Sequence, residues 1–216
     1  MYKYILLIFG VILTLISCSC GESLGIDPTN SELIEKKVQL AVEEQMKGST
    51  KGKILRMELR NKGNLSKKIT HIDLDAYLPE EDLWHGISIK TWALEKYMPS
   101  KYGSSSTDFK GMYEDYNKKR DGVLWADIDL SDIGKHISDA IEMLKASGIE
   151  DSKGNICFNR YIIDCTGGRE KRQIIFELSQ KDDQYGAYIW IYYRVFNVSN
   201  NGKIEYGDPI VNEFLF

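Results

Sequence analysis

The sequence predicts an α+β body in which helices pack on an antiparallel β-sheet, and three observations predict it. Two helical segments with one apolar face start about 100 residues apart. Each is followed by runs in which apolar and polar residues alternate, the pattern of half-buried strands. The turn signals between runs are short, as antiparallel neighbours require. The chain therefore divides into two helix-plus-strands halves, which share no residue-by-residue similarity. A helix laid across an antiparallel sheet is the economical way for each to bury its one apolar face.

In chain order, residues 18–30 are small and polar and read as a flexible tether ahead of a globular body at 31–216. Thr29, with Glu32 three residues on, matches a capping box, and Gly48 supplies the stop. Between them Ile34, Val38, Ala41 and Val42 recur at helical spacing, with Lys36, Lys37, Glu43 and Glu44 left for water. Lys53–Arg60 alternates as a strand, with Ile54, Arg56 and Glu58 against Leu55, Met57 and Leu59. Lys62-Gly63-Asn64 reads as a turn, and the next strand places Ile72, Leu74, Ala76 and Leu78 inward. Pro79 ends it. Glu80-Glu81-Asp82 then suit the first turn of a helix, with Trp84, Ile87, Trp92, Leu94 and Tyr97 as its apolar residues. Residues 99–122, with Pro99, Gly103 and three consecutive serines, read as a loop or short surface helix and mark a sub-boundary of the body.

The second half is patterned more sharply. Val123–Leu130 reads as a strand leading to Ser131 or Asp132 as N-cap. Ile133, Ile137, Ala140, Ile141 and Leu144 then form a clean apolar face that ends at Gly148. Strands are expected at 156–165, 172–180 and 187–198, and Asn200-Asn201-Gly202 is a hairpin signal leading into 203–206 and 210–216. At the level of fold, this order resembles the cystatin-like and beta-lactamase-inhibitor-like modules of exported bacterial proteins. Neither family's signature residues occur, so the resemblance implies an architecture and no activity.

The first twenty residues say where the chain goes. One cation, Lys3, precedes an apolar run of thirteen residues from Tyr4 to Ile16. That is short of the roughly 20 needed to cross a bilayer, and it has the form of an export signal. Leu15-Ile16-Ser17-Cys18 resembles the lipobox of bacterial lipoproteins. The resemblance implies that residues 1–17 are a signal peptide, that the Cys18 thiol receives a diacylglycerol, and that the new amino end is acylated too, with palmitate-type chains. Several acyl chains anchor stably where one does not. Cys20 is the rival acceptor, but Cys18 would then stand where an aliphatic residue is wanted. Ser19 favours the outer membrane over the inner, and the lack of an acidic cluster after the cysteine favours the periplasmic face over the cell surface.

Without residues 1–17 the chain keeps 199 residues, with 27 basic and 32 acidic side chains and a balance of −5. No basic stripe is present, so nucleic acid is not an expected partner. Cys157 and Cys165 lie eight apart in one expected strand, ~26 Å along a straight chain and beyond bridging reach.

The motifs of common chemistries are missing. There is no G-x-S-x-G elbow, and Gly48–Lys53 fails as a phosphate loop because a helix precedes it instead of following. Asp127, Asp129 and Asp132 have the look of a calcium loop, but Asp132 stands where its glycine belongs. They read instead as two carboxylates on the wet face of a strand and one helix cap. His71, His85 and His136 share no metal spacing. His136, on the rim of its helix's apolar face, reads as a hydrogen-bonded core histidine, and His71 as solvated. No catalytic residue, metal or cofactor is expected.

The aromatic strand at 188–196 offers the one candidate surface. Period two puts Ile189, Ile191, Tyr193 and Val195 on one side, expected to face the helix. Tyr188, Trp190, Tyr192, Arg194 and Phe196 take the other, where flat rings with polar tips suit a protein or glycan partner. The expectation is a lipid-anchored, non-enzymatic binding module of the cell envelope, with an inhibitor or immunity-type role among its forms. The alternative is an envelope hydrolase whose residues converge from separate strands.

Overall fold

The computed structural model describes residues 25–46, 51–61, 67–78, 83–91, 100–102, 122–149, 156–181 and 188–208. Its elements are helix α1 (Ser31–Met46), strands β1 (Lys53–Arg60), β2 (His71–Leu78), β3 (Leu83–Lys90), β4 (Ser100–Tyr102) and β5 (Val123–Leu124), helix α2 (Ile133–Ala146), and strands β6 (Ile156–Asp164), β7 (Lys171–Lys181), β8 (Tyr188–Val198) and β9 (Ile204–Tyr206). Among the described residues nine strands form one sheet in the order β4-β3-β2-β1-β6-β7-β8-β9, with β5 pairing β1. Each half is a helix followed by an antiparallel meander. Their first strands, β1 and β6, pair at the centre, Met57 opposite Ile163 and Leu59 opposite Tyr161. The α+β class stands.

Both helices contribute to one core with a single face of the sheet. Ile34, Val38, Ala41 and Val42 of α1 and Ile133, Ile137, Ala140 and Leu144 of α2 are buried together with Met57, Leu74, Tyr161, Ile163, Ile174 and Phe196. An aromatic ladder crosses the second half. Phe158, Phe176 and Phe196 meet edge to face at 6.3 and 5.9 Å between ring centres, and Tyr206 stacks on Phe196 at 4.8 Å. Among the described residues no helix is long and apolar enough to cross a membrane.

Several local expectations change. The N-cap of α1 is Asn30, whose Oδ1 accepts from the Leu33 amide at 3.0 Å. Thr29 is not the cap, because its amide and hydroxyl both donate to Asp27 Oδ1. Ile26 is buried and exchanges two 2.8 Å backbone bonds with Ile69, so the packed body reaches back to Ile26 instead of starting at residue 31. In β1 a register shift between Ile54 and Arg56 breaks the alternation, and Ile54 and Leu55 are both buried. Residues 83–90 form strand β3 rather than a helix. It pairs residue for residue with β2, from Leu78 opposite Leu83 to His71 opposite Lys90. Ile87 and Ile89 thereby sit opposite the buried Leu74 and Ile72, and this pairing outweighs the helix-start signal of the acidic triplet. The strand expected at 123–130 shortens to β5, after which Trp125–Asp127 form a 3₁₀ turn. Cys157 and Cys165 are both buried and are not joined in a disulfide, as the straight strand requires.

The sheet's other face carries a small apolar cluster, Ile162, Ile175 and Val195, and beside it a charged lattice. Arg56 pairs with Glu58 at 2.5 Å, Arg160 reaches Glu58 at 3.4 Å, and Arg60 pairs with Asp73. Asp75 stands among these groups opposite Gly86. Burial pushes its carboxyl up to about 6, against the pull of Arg56 and with the help of Glu58 and Asp73. Between pH 4 and 6 the native carboxyl keeps a proton that the unfolded chain has released, so stability falls as pH rises through that window. Asp75→Asn removes the penalty. Chemical denaturation at pH 7 will show a gain of up to about 3 kcal/mol that vanishes below about pH 4.

The two helices meet where α2 begins. A Cβ at Gly134 would lie 2.5 Å from the Thr29 carbonyl oxygen and 2.6 Å from the Ser31 amide nitrogen. Gly134→Ala must push the helix starts apart. Urea unfolding will show a loss of about 1–3 kcal/mol.

Candidate functional site

A polar cleft of about 750 Å³ opens at one end of the core, between the start of α2, the start of β7 and the β8–β9 hairpin. Its elements follow from the sequence. Asp129 Oδ1 accepts from the Ser131 amide (2.9 Å) and hydroxyl (2.7 Å), closing the turn that launches α2. Those two donors hold the Asp129 carboxyl below its usual range. Asp132 occupies the N-cap position without a side-chain cap bond. Opposite, Gly202 takes the left-handed backbone that turns β8 into β9.

The innermost group of the cleft is His136, only 5% exposed, lying over Tyr161 with its ring nearly parallel. Its Nδ1 lies 3.0 Å from the Tyr161 hydroxyl. Arg172 completes the network. Its guanidinium pairs with Glu170 and donates to the Asp129 carbonyl oxygen at 2.5 Å, and its charge acts on the Tyr161 hydroxyl. Burial pushes the Tyr161 phenol up to about 12, so it keeps its proton. The Tyr161 hydroxyl and His136 Nδ1 share one hydrogen bond, whose donor follows the imidazole tautomer. Nε2 stands beside Gly202 at the cleft: a Cβ there would lie 3.3 Å from it. Burial, then the Arg172 charge, lowers the His136 pKa.

The residues singled out from sequence are dispersed by the fold. His136 is the hydrogen-bonded core histidine expected. His71 is half-buried with its Nδ1 2.9 Å from the Thr70 hydroxyl, so it is not simply solvated. Asp127 and Asp129 are exposed, but in the 3₁₀ turn and the loop after it and not on a strand. The fold gathers them with Asp132 and His136 around the cleft. Among the described residues no group of three or more His, Cys, Asp or Glu side chains is placed to hold a metal. Cys18 lies outside the described residues, as do the side chains of Tyr188, Trp190 and Tyr192. The backbone of these three holds register opposite Lys181, Gln180 and Leu178, and Arg194, opposite Phe176, is exposed.

The facing expected for β8 is reversed where it can be read. Phe196 and Val198 belong to the core under the helices, while Val195 packs with Ile162 and Ile175 on the other face. Register decides this, because Phe196 lies opposite Ile174 in a row that continues through Tyr161 to Leu59. Tyr161 and Arg172 were not singled out from sequence, although a signal existed. Period two in β7 puts Arg172 on the side of Ile174, Phe176 and Leu178, and a cation on an apolar face needs a partner.

No protein-family model matches the chain, and no curated protein is similar to it. Among solved structures it is similar to a "putative lipoprotein" of Clostridium difficile, with a TM-score of 0.39 and 11% identity, over 80% of this chain and 96% of that one.

NMR titration of His136 will give a midpoint below 6.5, and Arg172→Leu will move it upward by removing the nearby cation. Because the unfolded imidazole protonates first, the native state loses stability as pH falls below 6.5.

Proposed function

We propose that this chain is an exported lipoprotein, held at a membrane through acylated Cys18, whose helix-on-sheet body is a non-enzymatic binding module for an envelope protein or glycan. One observation carries the anchoring: Leu15-Ile16-Ser17-Cys18 directly after a thirteen-residue apolar run with a single cation before it. The outer membrane, periplasmic side, is its proposed place. Binding is supported by an open polar cleft lined by side chains of both charges. The strand carrying Tyr188, Trp190, Tyr192 and Arg194 is the second proposed contact surface.

The hydrolase alternative has one observation in its favour: the cleft brings His136 together with carboxylates and with Ser199. A nucleophile must be bonded to its base, however, and the Ser199 hydroxyl is instead engaged with Asn201 Oδ1 at 2.5 Å and the Lys203 carbonyl at 3.0 Å. Binding is therefore the better reading.

Cells grown with radiolabelled palmitate provide the test. The wild-type chain will carry label and sediment with membranes. Cys18→Ala will lose the label and leave the membrane fraction, and a labelled, membrane-bound Cys18→Ala chain would overturn the assignment.

A further inference from the structure

The packed body begins close to the proposed anchor. Gly25 is seven residues beyond Cys18, and that length of chain spans at most ~25 Å when fully extended. Its far end is clamped. Ile26 exchanges two 2.8 Å backbone bonds with Ile69. A Cβ at Gly25 would lie 2.8 Å from the Ile69 carbonyl oxygen and 2.9 Å from Lys68 Cβ. An acylated Cys18 therefore holds the body by this corner, which becomes the part of its surface kept nearest the lipid.

That corner has a chemistry of its own. A cavity of about 420 Å³ opens there, backed by the core residues Ile156 and Phe158 and the half-buried Ile141. Three lysines line it, Lys67 and Lys145 exposed and Lys68 half-buried. Its carboxylates are Asp27 and Glu142, and Asp27 Oδ1 already accepts from the Thr29 amide and hydroxyl. The β1–β2 link, residues 61–70, contains Lys62, Lys67 and Lys68 and no carboxylate. Elsewhere acids prevail, since the chain without residues 1–17 has a balance of −5. An anionic surface repels such a body as a whole and attracts it only through a face with a local excess of cations. Lysines with long apolar stems over an apolar lining also match a lipid layer, in which phosphates overlie hydrocarbon.

We propose that the face around this cavity lies on the bilayer, with Lys67, Lys68 and Lys145 against the phosphates of anionic phospholipids. The proposal rests on acylation at Cys18. It adds what the anchor by itself does not choose, namely the face turned to the lipid and the charge of that lipid. Such attraction acts only within a Debye length, ~8–10 Å, so it needs a short tether to take effect. The polar cleft beside His136 lies at the other end of β6. Ile156, the first residue of that strand, lines the cavity, whereas Lys171 at the cleft pairs with Asp164, the last. The two are ~26 Å apart along the strand. This orientation leaves the cleft on the aqueous side.

The test uses the full acylated chain, purified in detergent and reconstituted into vesicles of phosphatidylcholine alone or of an equal mixture with phosphatidylglycerol. Lysines are methylated with formaldehyde and an uncharged borane reductant, and the rate at each site is read by mass spectrometry. Lys67, Lys68 and Lys145 will react about fivefold more slowly in the anionic vesicles, the factor that ~1 kcal/mol per cation near an anionic leaflet gives. Lys171 will keep its rate, and high salt will remove the difference. Lys67→Glu combined with Lys145→Glu, both at exposed positions, will return Lys68 to its rate in neutral vesicles and leave the unfolding midpoint unchanged. Equal rates in the two kinds of vesicle overturn the proposal, and so does equal slowing at Lys171. The same slowing by inorganic phosphate in detergent also overturns it, since the site would then be one for free phosphate. A chain that floats with neither kind of vesicle overturns the anchoring and this orientation with it. A chain that floats with both and shows equal rates overturns the orientation alone.

Discussion

The antiparallel pairing of β1 with β6 is the contact on which the rest of this molecule depends. Each half alone is a helix over a short meander, with two sheet edges and too little apolar area to cover. Joining the halves through their first strands removes the inner edge of each. It also aligns the buried rows, so that Leu59, Tyr161, Ile174 and Phe196 run across four strands as one surface. The helices then share that surface, and they approach so closely at Gly134 that no side chain fits between them.

A second constraint works against the first. The apolar row ends at Arg172 and Glu170, charged groups on the core side of the sheet, and the polar network they form is what the core can tolerate at its margin. Tyr161 is the junction. Its ring belongs to the hydrophobic layer, and its hydroxyl links Arg172 to His136. The cleft is thus continuous with the core, and its innermost side chain, His136, is buried like a core residue. On the opposite face of the sheet, charges are arranged differently. Arg56 and Arg160 pair with Glu58 and Arg60 pairs with Asp73, and burial raises the Asp75 carboxyl among them.

How much of this was legible depended on whether the information was local. Helix α2 could be read because its apolar face repeats at 3.6 residues and turn signals flank it. The β6–β9 meander could be read because its runs have strong period two and Asn200-Asn201-Gly202 marks the last hairpin. Strand β3 could not, because Glu80-Glu81-Asp82 is a good helix start locally and only the neighbouring β2 makes 83–90 extended. The N-cap moved from Thr29 to Asn30 for a similar reason, since Asp27 captures Thr29 first. Of the cleft, His136 was recognised by its place on the helix rim. Its partners Tyr161 and Arg172 are 25 and 36 positions away, and no local pattern joins them to it.

By itself the sequence determined the class of fold, the two helix-plus-strands halves and the expectation of an acylated Cys18, because periodicity, turn chemistry and a lipobox are properties of neighbouring residues. Tertiary structure alone decided which face of β8 turns to the helices, that the halves join through β1 and β6, and that carboxylates from one loop and cations from another line one cleft beside a buried imidazole. A strand's register is set by its partners, and shifting it by one residue exchanges its two faces, so no reading of one strand in isolation can choose between them.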